Sequence, residues 1–143
     1  MKEGISKELL QFITNTAFVG IERGYFKEAD EMLNTVVEIC PKNLSAKVAR
    51  AMGRVFMGQL TQGVKELFGV LKEDPKNEIA KGFIALAFKI ARMDDQAVEL
   101  SQQILTYSPD QSAKAIAQGI LEDVKNKISL HALQAELSSN FNG

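Results

Sequence analysis

The chain has few of the residues that mark several classes of protein. Among its 143 residues there are one cysteine, three prolines and no tryptophan. The lone Cys40 excludes an internal disulfide and fits a reducing compartment. No stretch approaches the ~20 apolar residues that a membrane-spanning helix needs, and the start, MKEGISKELL, lacks the apolar block of a signal peptide. We therefore expect a cytoplasmic protein with no membrane span.

The chain also has no large excess of positive or negative charge. Seventeen basic and eighteen acidic residues leave a net charge of −1, so no overall field draws the chain to nucleic acid or anionic lipid. A hydrophobic content of 45% with 24% charged residues is typical of a folded globular protein. The length suits one compact domain and is too short for two ordinary ones. We expect a single domain over residues 1–143 and no nucleic-acid partner.

Residues that carry catalysis or bind metals are isolated from one another. The only histidine, His131, has no cysteine or carboxylate cluster at metal-ligand spacing, and we interpret it as a structural or surface residue. Cys40 precedes a proline at a predicted helix end and is interpreted as a packed small hydrophobe. Acidic residues such as Glu28 and Asp30 are typical of a solvated helix face. The sequence predicts no enzyme, no catalytic residue, no metal and no cofactor.

The three prolines divide the chain into windows of equal length. Pro41, Pro75 and Pro109 stand 34 residues apart, in ICPKN, EDPKN and YSPDQ. A proline lacks an amide donor and disfavours helix at the residue before it, so it ends one helix and is tolerated where the next begins. Much of each window matches the others by residue type. The windows cover residues 10–43, 44–77 and 78–111.

Each window contains two apolar-periodic runs with a short break between them. In the first window, Ala29, Met32, Leu33, Val36 and Val37 fall at i, i+3, i+4, i+7 and i+8, which is one face of a helix. The other windows repeat this spacing. Each window therefore predicts a helix-turn-helix unit, and the chain as a whole predicts an all-α fold.

Small residues occupy matching places in the two predicted helices of each window. Two antiparallel helices can cross closely only where the side chains between them are small, so these residues predict the contact within each pair. Asn43 and Asn77 follow two residues after a proline and are predicted to cap the next helix. The small pairs are Ala17 with Ala29, Ala51 with Gly63, and Ala85 with Ala97.

The period, the small residue in each helix and the closing proline resemble the tetratricopeptide repeat (TPR), whose period is 34 residues. The resemblance covers roughly residues 10–111. It implies a TPR-like α-solenoid of about three helix-turn-helix repeats plus C-terminal capping helices. Residues 112–127 then continue as a fourth first helix, and residues 129–139 form a final capping helix, because a repeat array needs an atypical end. Contact of 112–139 with a bound partner is the alternative to a purely capping role.

One helix departs from the family pattern. Lys47, Arg50 and Arg54 fall at i, i+3 and i+7, where the TPR pattern expects core. Either the helix over residues 44–57 is rotated from the usual setting, or its first turn is shifted by one residue. The basic row is interpreted as a solvated face, with an electrostatic rim for an acidic partner as the alternative.

The TPR resemblance implies a binding surface, because the first helices of such repeats line a concave face that holds extended peptides or single helices. The family's groove places carry mostly apolar residues here. The alternative is that several of them, Val48, Met52 and Val55 above all, are ordinary core. The predicted partner-binding residues are Phe18, Ile21, Val48, Met52, Val55, Phe56, Leu86 and Ile90.

The groove chemistry narrows the class of partner. TPR proteins that hold the carboxyl-terminal tails of large cytosolic chaperones use a clamp of lysine, asparagine and arginine. An apolar groove instead fits the apolar side of an amphipathic helix. At the places where those proteins carry the lysine, asparagine and arginine clamp, this chain has no such cluster. The residues there are Thr14, Phe18, Ala49, Ile79 and Phe83.

Among small TPR proteins, the chain is most similar to the cytoplasmic chaperones of bacterial type III secretion systems. The branch that guards the needle subunit comes first and the branch that guards the translocators second. The residues that carry the resemblance are AFVGIERGYFKEADEML (17–33) and EIAKGFIALAFKIARMDDQAVEL (78–100). It implies that the groove shields an amphipathic helix of a secreted, self-assembling virulence protein. The alternative is a generic TPR scaffold or adaptor, with self-association into a homo-oligomer included.

Overall fold

The computed structural model describes residues 5–142, with side chains through residue 139, and this part of the chain is helical without strands. The all-α, TPR-like solenoid predicted from the 34-residue period is confirmed. Its helices run in three antiparallel pairs followed by one long helix. They are α1 (Lys7–Glu22), α2 (Phe26–Ile39), α3 (Leu44–Phe56), α4 (Leu60–Glu73), α5 (Glu78–Ile90), α6 (Asp94–Tyr107) and α7 (Gln111–Asn142).

Side-chain caps start the odd-numbered helices. The Asn43 carboxamide oxygen accepts a 3.1 Å hydrogen bond from the backbone amide three residues ahead, and Asn77 accepts one of 3.0 Å. Both caps are confirmed. Ser6 and Asp110 make the same contact, at 3.0 and 2.8 Å, before α1 and α7. Each cap satisfies one of the free amides at a helix start and fixes where the helix begins.

The even-numbered helices follow tight turns instead. Gly24 and Gly58 have φ of +88° and +86°, a conformation open to glycine because it has no Cβ. Arg92 occupies the same place in the third repeat with φ of +62°. A non-glycine residue in the left-handed region costs about 1–2 kcal/mol, so this turn is the strained one of the three.

The helices form two layers. The odd-numbered helices contact one another in order, whereas no two even-numbered helices of the described region have Cα atoms within 8 Å of each other. Each even-numbered helix packs between the odd-numbered helices that precede and follow it. The odd-numbered helices therefore form the inner, concave layer, and grooves remain between the even-numbered helices of the outer layer.

The predicted small pairs lie at the helix crossings. Ala17 and Ala29 share one buried cluster, and Ala85 and Ala97 share another. The crossing of α3 and α4 is the tightest, because a Cβ on Gly63 would lie 2.6 Å from the Val55 side chain and 2.8 Å from the Ala51 carbonyl oxygen. The backbone oxygen has no room to move, so only glycine fits here.

Gly63→Ala should lower the free energy of unfolding by about 1–2 kcal/mol. The clash costs about 1–3 kcal/mol, and the better helix propensity of alanine returns up to ~1 kcal/mol. Gly69→Ala in the same helix is the matched control, since its Cβ would meet nothing within 4 Å. It should raise stability by about 0.5–1 kcal/mol. Urea denaturation of both variants measures the difference, and equal effects would contradict this crossing geometry.

The C-terminal region differs from the prediction. Residues 129–139 do not form a separate capping helix, because α7 runs without interruption from Gln111 to Asn142. No glycine or proline occurs between residues 120 and 142, so nothing in the chain breaks the helix. Ala113, Ala117 and Ile120 pack against α5 and α6, whereas every residue from 125 to 139 is exposed.

Candidate functional site

The inner layer forms an open cavity of about 430 Å³ between the middle of α1, the N-terminal halves of α3 and α5, and the start of α7. We call it the inner cavity. None of its lining side chains carries a charge, and its polar groups are amides and hydroxyls. Its lining consists of Gln11, Thr14, Asn15, Phe18, Ser45, Val48, Ala49, Asn77, Ile79, Phe83 and Ser112.

Two stacked aromatic rings form one wall of the inner cavity. The centroids of Phe18 on α1 and Phe83 on α5 lie 6.1 Å apart with an interplanar angle of 28°. The stack spans the concave side of α3 and joins the first repeat to the third. Because Phe83 is buried and Phe18 half-buried, this wall is held by the core and still presents a ring to the cavity.

Four of the eight predicted partner-binding residues are core. Ile21, Val48, Met52 and Val55 expose no more than 5% of their surface. Helix α3 contacts α1, α2, α4 and α5, so little of its circumference is free. Val48 reaches the inner cavity from its floor, and the other three support the helix packing. The candidate surface therefore consists of the other four predicted residues, and Val48 contributes only to the floor of the inner cavity.

The other four predicted residues reach the surface. Phe18 and Leu86 are half-buried, and Phe56 and Ile90 are exposed by 43% and 40%. Phe56 stacks on Phe26 with centroids 6.2 Å apart. Phe56 and Ile90 lie at the C-terminal ends of α3 and α5, whereas the inner cavity lies along the N-terminal halves of these helices. The concave face thus has apolar groups at both ends.

The basic row does not form a rim for an acidic partner. Arg50 pairs with Glu66, and Arg54 pairs with Glu66 at 2.8 Å and with Asp30 at 3.3 Å. Lys47 pairs with Glu73 at 3.1 Å. Helix α3 therefore turns this row toward the groove between α2 and α4, where the chain supplies the acidic partners. The row is neither a rim nor a solvated face, and the prediction is corrected.

The sequence did not point to several groups of the site. Asn15 and Ser112 line the inner cavity, and Asn77 lines it besides capping α5. The predicted cap at Asn77 could have indicated this residue's place in the site, because a residue at the start of an inner helix lies at the mouth of the inner cavity. A second cavity, between α4 and α6 on the outer layer, was also missed.

The inner cavity is lined by apolar and uncharged polar side chains. No histidine, cysteine, aspartate or glutamate lines the inner cavity, and no group of three such residues able to hold a metal occurs in the described region. Cys40 is half-buried and packs against the core. None of the described helices combines the length and apolar character needed to span a bilayer.

Comparison with known proteins supports the fold. No protein-family model matches the sequence, and no curated protein matches it significantly. The TPR domain of OM64 from Arabidopsis superposes with a TM-score of 0.62 at 14% identity, over 81% of this chain and 97% of that one. The Hsp90 co-chaperone Cns1 from Saccharomyces cerevisiae gives 0.62 at 16%, over 98% and 47%. A tetratricopeptide repeat protein from Parabacteroides merdae gives 0.58 at 18%, over 87% and 49%. This chain covers about half the length of the latter two proteins.

Proposed function

We propose that this protein is a non-enzymatic TPR chaperone that shields an amphipathic helix of a partner protein on its concave face. The observation that carries the proposal is the inner cavity, which is uncharged and has an aromatic wall formed by Phe18 and Phe83. Such a lining accepts apolar side chains and gives a charged tail no counter-ion. Similarity to TPR structures supports protein binding as the general role.

The shape of the concave face favours a helix as the partner. Apolar groups occur in the inner cavity at one end of the face and at Phe56 and Ile90 at the other. Helix α3 between them has 13 residues and is about 20 Å long. An amphipathic helix of three to four turns presents apolar residues over this distance on one side.

The proposed partner class is the needle subunit of a type III secretion system, held in the cytoplasm before export. Such a subunit polymerises through apolar helical faces, and covering one face keeps it soluble and unassembled. Burial of that face drives binding, and the ordering of the partner opposes it. The support is the sequence resemblance together with the uncharged cavity. A generic TPR scaffold would use the same face for another helical partner.

Ser45→Glu should weaken binding of a needle subunit by at least about tenfold, because it places an unpaired carboxylate in the inner cavity. Ser45 is exposed in the first turn of α3, where an acidic residue favours the helix, so stability should not fall. Thr61→Glu is the matched control, since Thr61 is exposed at the second residue of α4 in the outer layer. Isothermal titration with a purified needle subunit measures both variants.

The outcomes separate the candidate functions. Loss with Ser45→Glu and unchanged binding with Thr61→Glu support the concave face as the site. A needle subunit that does not bind the unaltered chain, while another amphipathic helix binds with the same dependence on Ser45, favours the generic scaffold. Equal losses in both variants contradict the proposed site. Leu86→Glu would be a less informative variant, because Leu86 also packs against the core.

A further inference from the structure

The two outer grooves of the solenoid have opposite chemistry at equivalent positions. Between α2 and α4, the groove is filled by the ion pairs of Arg50, Arg54, Glu66 and Asp30. The equivalent positions of the next repeat, 34 residues later in the chain, belong to the groove between α4 and α6. These positions carry Ile84, Phe88, Leu100 and Val64.

This second groove is open. It holds a cavity of about 360 Å³, the outer cavity, which also has the polar lining residues Glu78, Lys81, Gln103 and Ser108. Its apolar lining is Phe68, Leu71, Ile84, Phe88, Leu100, Ile104 and Tyr107. Phe68 is half-exposed and Tyr107 is exposed by 83%. Large exposed apolar groups gathered in one groove mark an interaction surface rather than ordinary surface residues.

The same chain carries an exposed apolar helix with no cover in the described region. Residues 128–139 of α7 are exposed throughout, and Leu130, Leu133 and Leu137 fall at i, i+3 and i+7 on one face. This segment of 12 residues is about 18 Å long, and α4, which borders the outer cavity, has 14 residues and is about 21 Å long. The exposed segment is therefore similar in length to α4, the helix that forms one wall of the groove.

Charge favours the same pairing. Lys65 and Lys72 are exposed on α4, three residues before and four residues after Phe68, so both flank the outer cavity. From residue 128 to the end, the chain contains no lysine or arginine and one glutamate, Glu136. Glu78 and Lys81, the charged residues that line the outer cavity, pair with each other at 3.0 Å, so the leucine face meets Lys65 and Lys72 without like-charge repulsion.

We propose that residues 128–139 of one copy dock in the outer cavity of a second copy, so that the protein forms a homodimer. A reciprocal two-fold arrangement uses both features of both copies and closes, whereas a one-way contact would continue into a filament. It also doubles the area that one docked helix buries, toward the about 800 Å² per partner of a stable interface. The proposal is independent of the concave face and of its partner.

Sedimentation equilibrium of the full chain over a range of concentrations tests the proposal. We expect twice the mass of one chain at high concentration. Phe68→Glu in the groove and Leu133→Glu in the helix should each weaken dimerisation by at least about tenfold. Tyr25→Glu, a change at an exposed aromatic residue of the α1–α2 turn, should have no effect. Tyr107→Glu repeats the groove test at a more exposed side chain if Phe68→Glu reduces the helical circular dichroism.

Mixing the variants distinguishes the proposed contact from others. The groove of the Leu133→Glu chain and the helix of the Phe68→Glu chain are both intact, so the mixture should associate more tightly than either variant alone. A monomeric unaltered chain overturns the proposal. Normal dimerisation of both groove variants overturns it in favour of helix-to-helix pairing, and normal dimerisation of Leu133→Glu excludes α7 as the docking element.

Discussion

Met52→Ala should lower the free energy of unfolding by about 2–4 kcal/mol, the range for truncating a large buried side chain. Met52 is 1% exposed and packs in the cluster that joins α3 to α4 and α5. Its truncation leaves a cavity at the centre of the solenoid, which the surrounding helices fill only in part. Urea denaturation followed by circular dichroism measures the loss.

Ile90→Ala is the matched control, because the sequence assigns both residues to the partner-binding face. Ile90 is 40% exposed at the end of α5, so its truncation should cost less than about 1 kcal/mol. The two variants therefore separate core from surface within one predicted set. If Met52→Ala kept full stability and lost partner binding instead, the burial of the α3 face would be contradicted.

The sequence was sufficient for the architecture of the three repeats because its evidence is local and repeated. Pro41 and Pro75 end helices, and Asn43 and Asn77 cap the next ones through the contacts that were predicted from their spacing. Gly63 lies at the helix crossing expected from its place opposite Ala51. Each of these features acts within one repeat, so comparison of the three windows reveals it.

The candidate site depends on contacts between repeats, and the sequence was weaker there. Helix α3 is surrounded by four other helices, so an apolar residue such as Met52 belongs to the core even where the TPR pattern places the groove. The acids that pair with Arg50 and Arg54 lie 12 to 24 residues away along the chain, on α2 and α4. Periodicity within one helix carries no information about such partners.

Glu66→Gln should lower the free energy of unfolding by about 2–3 kcal/mol. Glu66 pairs with both Arg50 and Arg54, and the three side chains are only 14–17% exposed. Removing one partner of a buried ion pair costs about 3–5 kcal/mol because a charge remains buried without compensation. The residual exposure of these groups, and the second acid, Asp30, that Arg54 retains, reduce that figure.

Glu73→Gln is the control for Glu66→Gln, since Glu73 is 49% exposed and pairs with Lys47 at the surface. It should cost less than about 1 kcal/mol. Urea denaturation at low and high salt measures both variants, and the Glu66 effect should change little with salt because these charges are poorly screened. Similar costs for the two variants would contradict a buried network.

The double variant Arg50→Ile with Glu66→Leu separates the cost of an unpaired charge from the value of the pair. It installs the residues that the next groove has at these positions, Ile84 and Leu100. Replacing a buried pair by apolar residues is often neutral or stabilising, so the double variant should lie within about 1 kcal/mol of the unaltered chain. Arg54 keeps Asp30 as its partner. A double variant as unstable as Glu66→Gln would mean that the Arg50–Glu66 pair itself stabilises the fold. A double variant as stable as the unaltered chain would mean that the main effect of the pair is to close the first outer groove to apolar partners.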